Sequence, residues 1–476
     1  MESTAKRVIS NIFWLLFQRI GGRLISFLLM IYLARHFGSL NFGKFTFANS
    51  FIGLFLILAD LGITTLVIRE VARNKERGAQ FMGNTAILKV FLSIITFIVI
   101  MVALNIMQVP DDTRIIVYLI SACSILENIG GFFSAVFQAF EKMNYMAIIE
   151  IIQKLFLFLL CFMFLTKGYG LISIGFAYLF SGAFFCLINI FFVSYKFFKP
   201  IYKIDFQFWK EILKEGFPLA IVAIISMIYY NTDIVMLGKM KGEEIAGWYG
   251  VSYSLFFAIA VLSGAFLSAV FPVMSKFFRE SREMLKKVYE KSFKVIIGTG
   301  LPISVGCVLL APQIIIFLFG PQYEHSITVF RIFSFVIIFS YLNSLAGYFL
   351  TSINRQILTA KILIVTTGTN ILLNFILIPR YSYIGAACAT VVSEILFFVI
   401  FFISLPKDFK YFPIWTIIKS ILACIMTGTV IVLLNFVNTN LILIIIISIM
   451  AYSCFLWVIK YFDKDDRMII RDVLRI

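Results

Sequence analysis

The chain has 476 residues, of which 61% are hydrophobic and only 14% charged. So apolar a composition leaves too little polar surface for a water-soluble globule, and it defines a multi-pass membrane protein. The 41 Lys and Arg against 25 Asp and Glu give a formal net charge of +16, which the distribution of the cations marks as topological and not as nucleic-acid binding.

Apolar runs of about 20 residues, each long enough to cross roughly 30 Å of hydrocarbon, recur along the chain. About fourteen spans are predicted, at 11–34, 44–68, 81–106, 114–139, 146–166, 171–195, 216–238, 246–274, 292–318, 326–350, 357–378, 383–405, 413–435 and 439–460. The first carries Gln18, Arg19 and Arg23. The two arginines share a helix face by their i, i+4 spacing, and each guanidinium near a bilayer centre costs roughly 2.5–3.5 kcal/mol. An anionic ligand in a water-filled cavity is the candidate source of compensation. Further ionisable groups follow in order: Asp60 in an Asp-Leu-Gly bend, Lys89, Glu127, Lys154, Asp233, Arg331 and Glu394.

Orientation follows from the basic residues. With the N-terminus inside, the internal loops carry Arg69, Arg73, Lys75 and Arg77; Lys196, Lys199, Lys203, Lys210 and Lys214; a run from Lys276 to Lys294; and a tail with Lys460, Lys464, Arg467, Arg471 and Arg475. The external turns are short and poor in cations. This positive-inside pattern places both termini in the cytoplasm. No cleavable signal segment is expected after Lys6-Arg7, so the first span reads as a signal anchor. All seven cysteines fall in spans, scattered, and imply neither a disulfide nor a metal site.

No enzyme signature accompanies these spans. The two histidines, His36 and His325, sit in short external turns with no zinc-type motif. Gly38-Ser-Leu-Asn-Phe-Gly43-Lys44-Phe45 imitates a phosphate-binding loop, but Phe45 replaces the hydroxyl residue that would hold magnesium, and no strand precedes it.

The same segment reveals a repeat. Leu33 to Phe45 and Leu237 to Tyr249 align without a gap, Gly38 and Gly43 matching Gly242 and Gly247. The first turn joins spans 1 and 2 and the second joins spans 7 and 8, so both halves run in the same sense. A weaker echo pairs Lys167-Gly-Tyr-Gly-Leu171 with Arg380-Tyr-Ser-Tyr-Ile384. The expected fold is an all-α polytopic membrane protein with two parallel six-helix lobes around a central cavity plus a C-terminal helix pair. Its expected parts are an N-terminal lobe at 1–195, a cytoplasmic linker at 196–215, a second lobe at 216–405, and helices 13 and 14 with a basic cytoplasmic tail at 406–476. The linker, with Phe206, Phe208 and Trp209, and the segment 275–294 both read as surface-lying helices. Pro302 marks an expected kink.

Asn11, the Gly38-x4-Gly43 turn, Ala59-Asp60-Leu61-Gly62-Ile63 with Arg69-Glu70-Val71-Ala72-Arg73, Asp233-x2-Met236-Leu237-Gly238, Phe271-Pro272, Phe319-Gly320-x2-Tyr323, and Asn370-x3-Asn374 leading to Tyr381-x3-Gly385-Ala386-Ala387 stand in an order that resembles the Wzx-type polysaccharide flippases. These belong to the multidrug/oligosaccharidyl-lipid/polysaccharide exporter superfamily. The resemblance covers roughly residues 8–405, and Ser382 stands where the family commonly shows Gly. It implies a non-enzymatic flippase of the cytoplasmic (inner) membrane. Its substrate would be a polyisoprenyl-diphosphate-linked glycan, moved by alternating access for O-antigen, capsule or exopolysaccharide biosynthesis. Membrane lipids and a glycan polymerase or other assembly proteins are the implied partners, with no nucleic acid and no cofactor beyond H+ or Na+ coupling.

On that reading Arg19 and Arg23 are the first choice for the diphosphate, because planar guanidinium groups match phosphate oxygens bidentately. Gln18, Lys89 and Lys154 are further substrate-binding candidates, though snorkelling competes for both lysines. Asp60 and Glu127 are candidate charge partners, Asp60 either positioning a guanidinium until substrate arrives or serving the Asp-Leu-Gly bend structurally. Asp233, Arg331 and Glu394 are candidates for coupling or gating, and Gln153, Asn370 and Asn374 for sugar contacts or helix glue. A cation-coupled multidrug or small-solute exporter of the same superfamily is the alternative function, and a membrane glycosyltransferase or polymerase the third.

Overall fold

A computed structural model of the chain describes residues 4–461 apart from 412 and 438. The basic tail residues Lys464, Arg467, Arg471 and Arg475 lie outside the described residues. The described residues contain helices and no strand, because a backbone in hydrocarbon must satisfy its own polar groups. The helices are α1 (Thr4–Leu56), α2 (Ile63–Arg73), α3 (Gly78–Met107), α4 (Asp111–Ala139), α5 (Met143–Thr166), α6 (Leu171–Lys196), α7 (Phe206–Lys241), α8 (Glu243–Glu280), α9 (Arg282–Phe319), α10 (Glu324–Ser352), α11 (Gln356–Ser404), α12 (Ile414–Phe436) and α13 (Leu441–Val458).

Twelve stretches among the described residues are long and apolar enough to cross a membrane. Two are too long for one crossing. Phe13–Ala59 and Gln356–Ser404 hold 47 and 49 residues, about 70 Å each at 1.5 Å per residue, against roughly 30 Å of hydrocarbon. A single non-helical residue divides each into two limbs of crossing length: Gly38 (φ 71°, ψ 179°) in α1 and Ser382 (φ 53°, ψ −134°) in α11. Counted by limb, the described residues hold fourteen helical segments of crossing length.

The chain divides into two compact units, 1–247 and 248–476. In the first, α7 packs along α1 and α2. In the second, α10 lies along α9 and α11, and α12 and α13 attach to α9. Tyr452 and Tyr461 tie this attachment by donating to the Gly298 and Lys294 carbonyls, each at 2.9 Å. Pro302 lies inside α9.

The two glycine turns of the repeat meet inside the first unit. Gly38 and Gly242 (φ 103°, ψ 163°) both occupy a backbone region essentially reserved for glycine. A Cβ on Gly43 would stand 1.8 Å from the Glu243 carbonyl oxygen, and one on Gly247 would stand 2.2 Å from that of Ser39. The repeated turns therefore pack backbone to backbone, each glycine accommodating the other turn. Ser39 Oγ donates to Glu244 at 2.8 Å, Thr113 Oγ1 to Glu243, and Lys44 pairs with Asp112.

Two segments read as surface-lying helices also pack against the protein. After α6 the chain runs along α3, with the Ile201 N–H donating to the Ala79 carbonyl at 2.9 Å, and becomes helical again only at Phe206. Asp205 then caps α7 by accepting from the Phe208 N–H at 3.1 Å, and Trp209 Nε1 donates to Asn84 Oδ1 at 2.8 Å. Trp209 packs against the core formed by Leu66, Val67, Leu88 and Phe132. Residues 275–294 are likewise two helix ends, the C-terminus of α8 and the start of α9, broken at Ser281, whose hydroxyl accepts from the Met284 N–H at 3.3 Å. Leu285 and Val288 are buried there. An apolar stripe among lysines looks the same whether it faces lipid or protein.

Candidate functional site

The first unit concentrates the intramembrane charge. Arg19 and Arg23 stand exposed on one flank of α1, and neither has an ion pair to a described acid. The neighbouring row, Gln18 and Gly22, faces α5. Gln18 is only 6% exposed, and its amide donates to Glu150 of α5, whose carboxylate lies beside Gly22. Gln18 thus holds two helices together and does not share the open flank of the arginines. Glu150 escaped the sequence reading because it stands near the predicted start of its span. Its spacing of three and four residues from Gln153 and Lys154 was the available signal.

The second group forms where span 2 breaks. After a single 3-10 turn, Ile57–Ala59, the chain passes through Asp60, Leu61 (φ 45°) and Gly62 (φ 79°) before resuming as α2. The break aims Asp60 at α3. Its Oδ1 accepts from Lys89 Nζ, Thr64 Oγ1 and the Thr64 N–H. Lys89 Nζ also donates to Thr64 Oγ1 at 2.8 Å and lies 5.4 Å from the centre of the Phe132 ring. Lys89 is 1% exposed, so it is buried with its counter-ion and does not snorkel. Asp60 engages a lysine and not an arginine, the arrangement of an acid that holds the Asp-Leu-Gly bend against α3. A charge this deep is retained only with a partner, and the lysine of the adjacent helix outcompetes the arginines of α1.

Glu127 belongs to a third group. Its Oε1 accepts from Gln153 Nε2 at 2.6 Å and lies 3.9 Å from Lys154 Nζ, while Gln153 also donates to Ser181 Oγ at 2.9 Å. Polar links thereby join α4, α5 and α6, and Glu127 too has a partner other than an arginine. Asp233 of α7 is buried in the same unit. At the end of α2, Arg69 donates to Glu215 at 2.6 Å and to Glu70 at 2.8 Å, and these bonds raise its guanidinium pKa above the ordinary value.

In the second unit, Asn343 of α10 donates to Glu394 Oε2 at 2.7 Å and to the Glu394 carbonyl at 2.9 Å. Asn374 donates to Asn370 at 3.0 Å one turn back on α11, and Arg331 is exposed on α10.

A helical fold whose described residues hold twelve membrane-length apolar stretches, with ionisable side chains in them and a broken helix at one, defines the class of multi-pass membrane proteins. The chain belongs to the polysaccharide biosynthesis protein family, whose model matches residues 8–278. The MatE family model matches residues 218–376. Among curated relatives, the protein named "Probable low-salt glycan biosynthesis flippase Agl15" of Haloferax volcanii is 22% identical, over 82% of this chain and 80% of its own length. The capsular polysaccharide biosynthesis protein CapF of Staphylococcus aureus is 23% identical, over 81% of this chain and 96% of its own. In fold, the chain is similar to the lipid II flippase MurJ in an inward closed conformation, with a TM-score of 0.77 at 18% identity, over 95% of this chain and 98% of that one.

Proposed function

We propose that this protein is a flippase that moves a polyisoprenyl-diphosphate-linked oligosaccharide across the cytoplasmic membrane by alternating access, in the assembly of O-antigen, capsule or exopolysaccharide. The observation that carries the reading is the state of the cations. Lys89 and Lys154 stand against Asp60 and Glu127, whereas Arg19 and Arg23 lie exposed without a described acidic partner. Two guanidinium groups one helical turn apart match a diphosphate in charge and in planar hydrogen-bond geometry. Membership of the polysaccharide biosynthesis family, and relatives named for glycan flipping and capsule synthesis, support the same substrate class.

A lipid-linked sugar explains why such a protein is needed. Its diphosphate and hydroxyls cannot enter hydrocarbon unassisted, while its tail remains there. Both termini lie on the cytoplasmic side in this reading, and Glu394, with Asp233 and Arg331, supplies the coupling or gating groups. The second reading, a cation-coupled drug exporter of the same superfamily, draws on the MatE match over 218–376. Replacing both arginines, R19A/R23A, separates the two. With membrane abundance equal to wild type, the variant is expected to lose surface glycan and to accumulate lipid-linked oligosaccharide on the cytoplasmic side. R19K/R23K should retain partial activity, since charge survives and the bidentate fork does not. Unchanged glycan export in R19A/R23A refutes the arginine assignment.

A further inference from the structure

A cavity of about 590 Å³ opens where the end of α8 meets the turn between α10 and α11. That volume lies within the range of ligand pockets, roughly 300–1,000 Å³. It is separate from the intramembrane charges of the first unit, and the translocation reading does not use it.

Its lining is two-sided. Phe271 and Phe278, seven residues apart and therefore on one face of α8, form an apolar wall. Lys276 and Arg279 line it beside them, and Asn354 and Gln356, both amide residues, line it from the α10–α11 turn. Asn354 is fixed in a left-handed conformation (φ 58°), its N–H donating to the Thr351 carbonyl at 3.1 Å. Glu280 is the one acid of the lining. It lies 3.8 Å from Lys276 as an exposed i, i+4 pair, an arrangement worth little in high dielectric. Arg279 has no ion pair to a described acid.

Two basic and two amide residues share with two phenylalanines the lining of a space at the end of α8. The chemistry selects an anion that carries an apolar attachment. We infer that this cavity binds the phosphate head of an anionic membrane lipid, with Arg279 and Lys276 on the phosphate and an acyl chain along Phe271 and Phe278. Arginine supplies a planar fork for phosphate oxygens and lysine a point charge. Free phosphate shares the head chemistry but gains nothing from the apolar wall.

The test uses the purified full-length protein in detergent, with bound lipid counted by native mass spectrometry. Phosphatidylglycerol, phosphatidylcholine and inorganic phosphate are the probes. Phosphatidylglycerol should be retained over phosphatidylcholine. K276A/R279A should lower its retention about tenfold, in line with the attraction of basic residues for anionic lipid. K286A/K287A removes the same charge from α9 outside the cavity and should leave retention unchanged, which separates a site from bulk charge. E280Q should raise retention, a gain that misfolding does not produce. Millimolar inorganic phosphate should not displace the lipid. Four results each overturn the inference: equal retention in K276A/R279A and wild type, equal losses in the two double variants, indifference between the two lipids, or displacement by inorganic phosphate.

Discussion

The buried pair of Asp60 and Lys89 gives the sharpest test of how this protein handles charge in its spans. Lys89 to Met removes the ammonium and keeps the length of an apolar side chain. Asp60 then keeps only Thr64 as a partner, at 20% side-chain exposure. Removing one member of a buried pair costs about 3–5 kcal/mol. The partial exposure of Asp60 puts K89M near the lower end, about 3 kcal/mol. Asp60 to Asn leaves the ammonium of Lys89, 1% exposed, without a counter-ion and belongs near the upper end, about 5 kcal/mol. The double variant D60N/K89M holds no charge at the site. Because replacing a whole buried pair by neutral groups is often close to neutral, it should lie within about 1 kcal/mol of wild type. At about 2–4 °C per kcal/mol for a unit of this size, thermal unfolding of the purified protein in detergent should give Tm losses of about 6–12 °C for K89M and 10–20 °C for D60N. The double variant should stay within about 4 °C. An additive double variant, falling by the sum of the single losses, refutes the pairing. Combining D60N with R19A/R23A should be additive within about 0.5 kcal/mol, since those arginines are not its partners.

Other consequences follow from the same geometry. Gly43 to Ala and Gly247 to Ala each drive a Cβ into the backbone of the opposing turn, and each should lower Tm by at least the equivalent of 1–3 kcal/mol of overpacking, about 2–12 °C. Gln153 to Leu deprives Glu127 and Ser181 of their amide donor at once, while the Ser181 hydroxyl keeps its bond to the residue 153 carbonyl; at roughly 1–3 kcal/mol for the buried acceptor left short of a donor, it should be more costly than Ser181 to Ala. Ser382 to Gly should stabilise: Ser382 holds a conformation that glycine adopts freely (φ 53°, ψ −134°), and its buried hydroxyl has no hydrogen-bond partner to lose. About 1 kcal/mol of relieved strain predicts a Tm gain of about 2–4 °C, and a lower Tm refutes the strain at that turn.

The spans were legible because length and apolarity are read one segment at a time, and the glycine turns because their backbone admits no other residue without cost. The turn between spans 11 and 12 was less so. The sequence echo aligned Lys167 with Arg380 and hence Gly168 with Tyr381. The positive-φ residues are instead Gly168 and Ser382, one position out of that register. Serine itself gives no local sign of a glycine-like conformation; the sign is that Ser382 stands where the resembling family commonly shows Gly. Around 209 and 285 the periodicity shows an apolar face and does not say which apolar partner lies opposite. Trp209 finds Asn84 from 125 residues away, a distance no local pattern spans.

The site was legible in its residue types and not in its pairings. Asp60, Lys89, Glu127 and Lys154 were all named from the sequence, yet which acid meets which cation depends on helix packing, and the lysines proved the nearer partners. Glu150 changes the electrostatics of the arginine flank. The Gln18 amide binds its carboxylate one residue from Arg19, and it lies beside Gly22, one residue before Arg23. An acid in that position offsets part of the cost of two guanidinium groups in an apolar span through its field, while the amide bond keeps its oxygens occupied. The planar edges of the arginines are left free of a direct carboxylate contact. On the proposed reading, a site that binds and then releases a diphosphate needs this compromise: positive enough to attract the head group, and compensated enough that the arginines persist in the span when no substrate is bound.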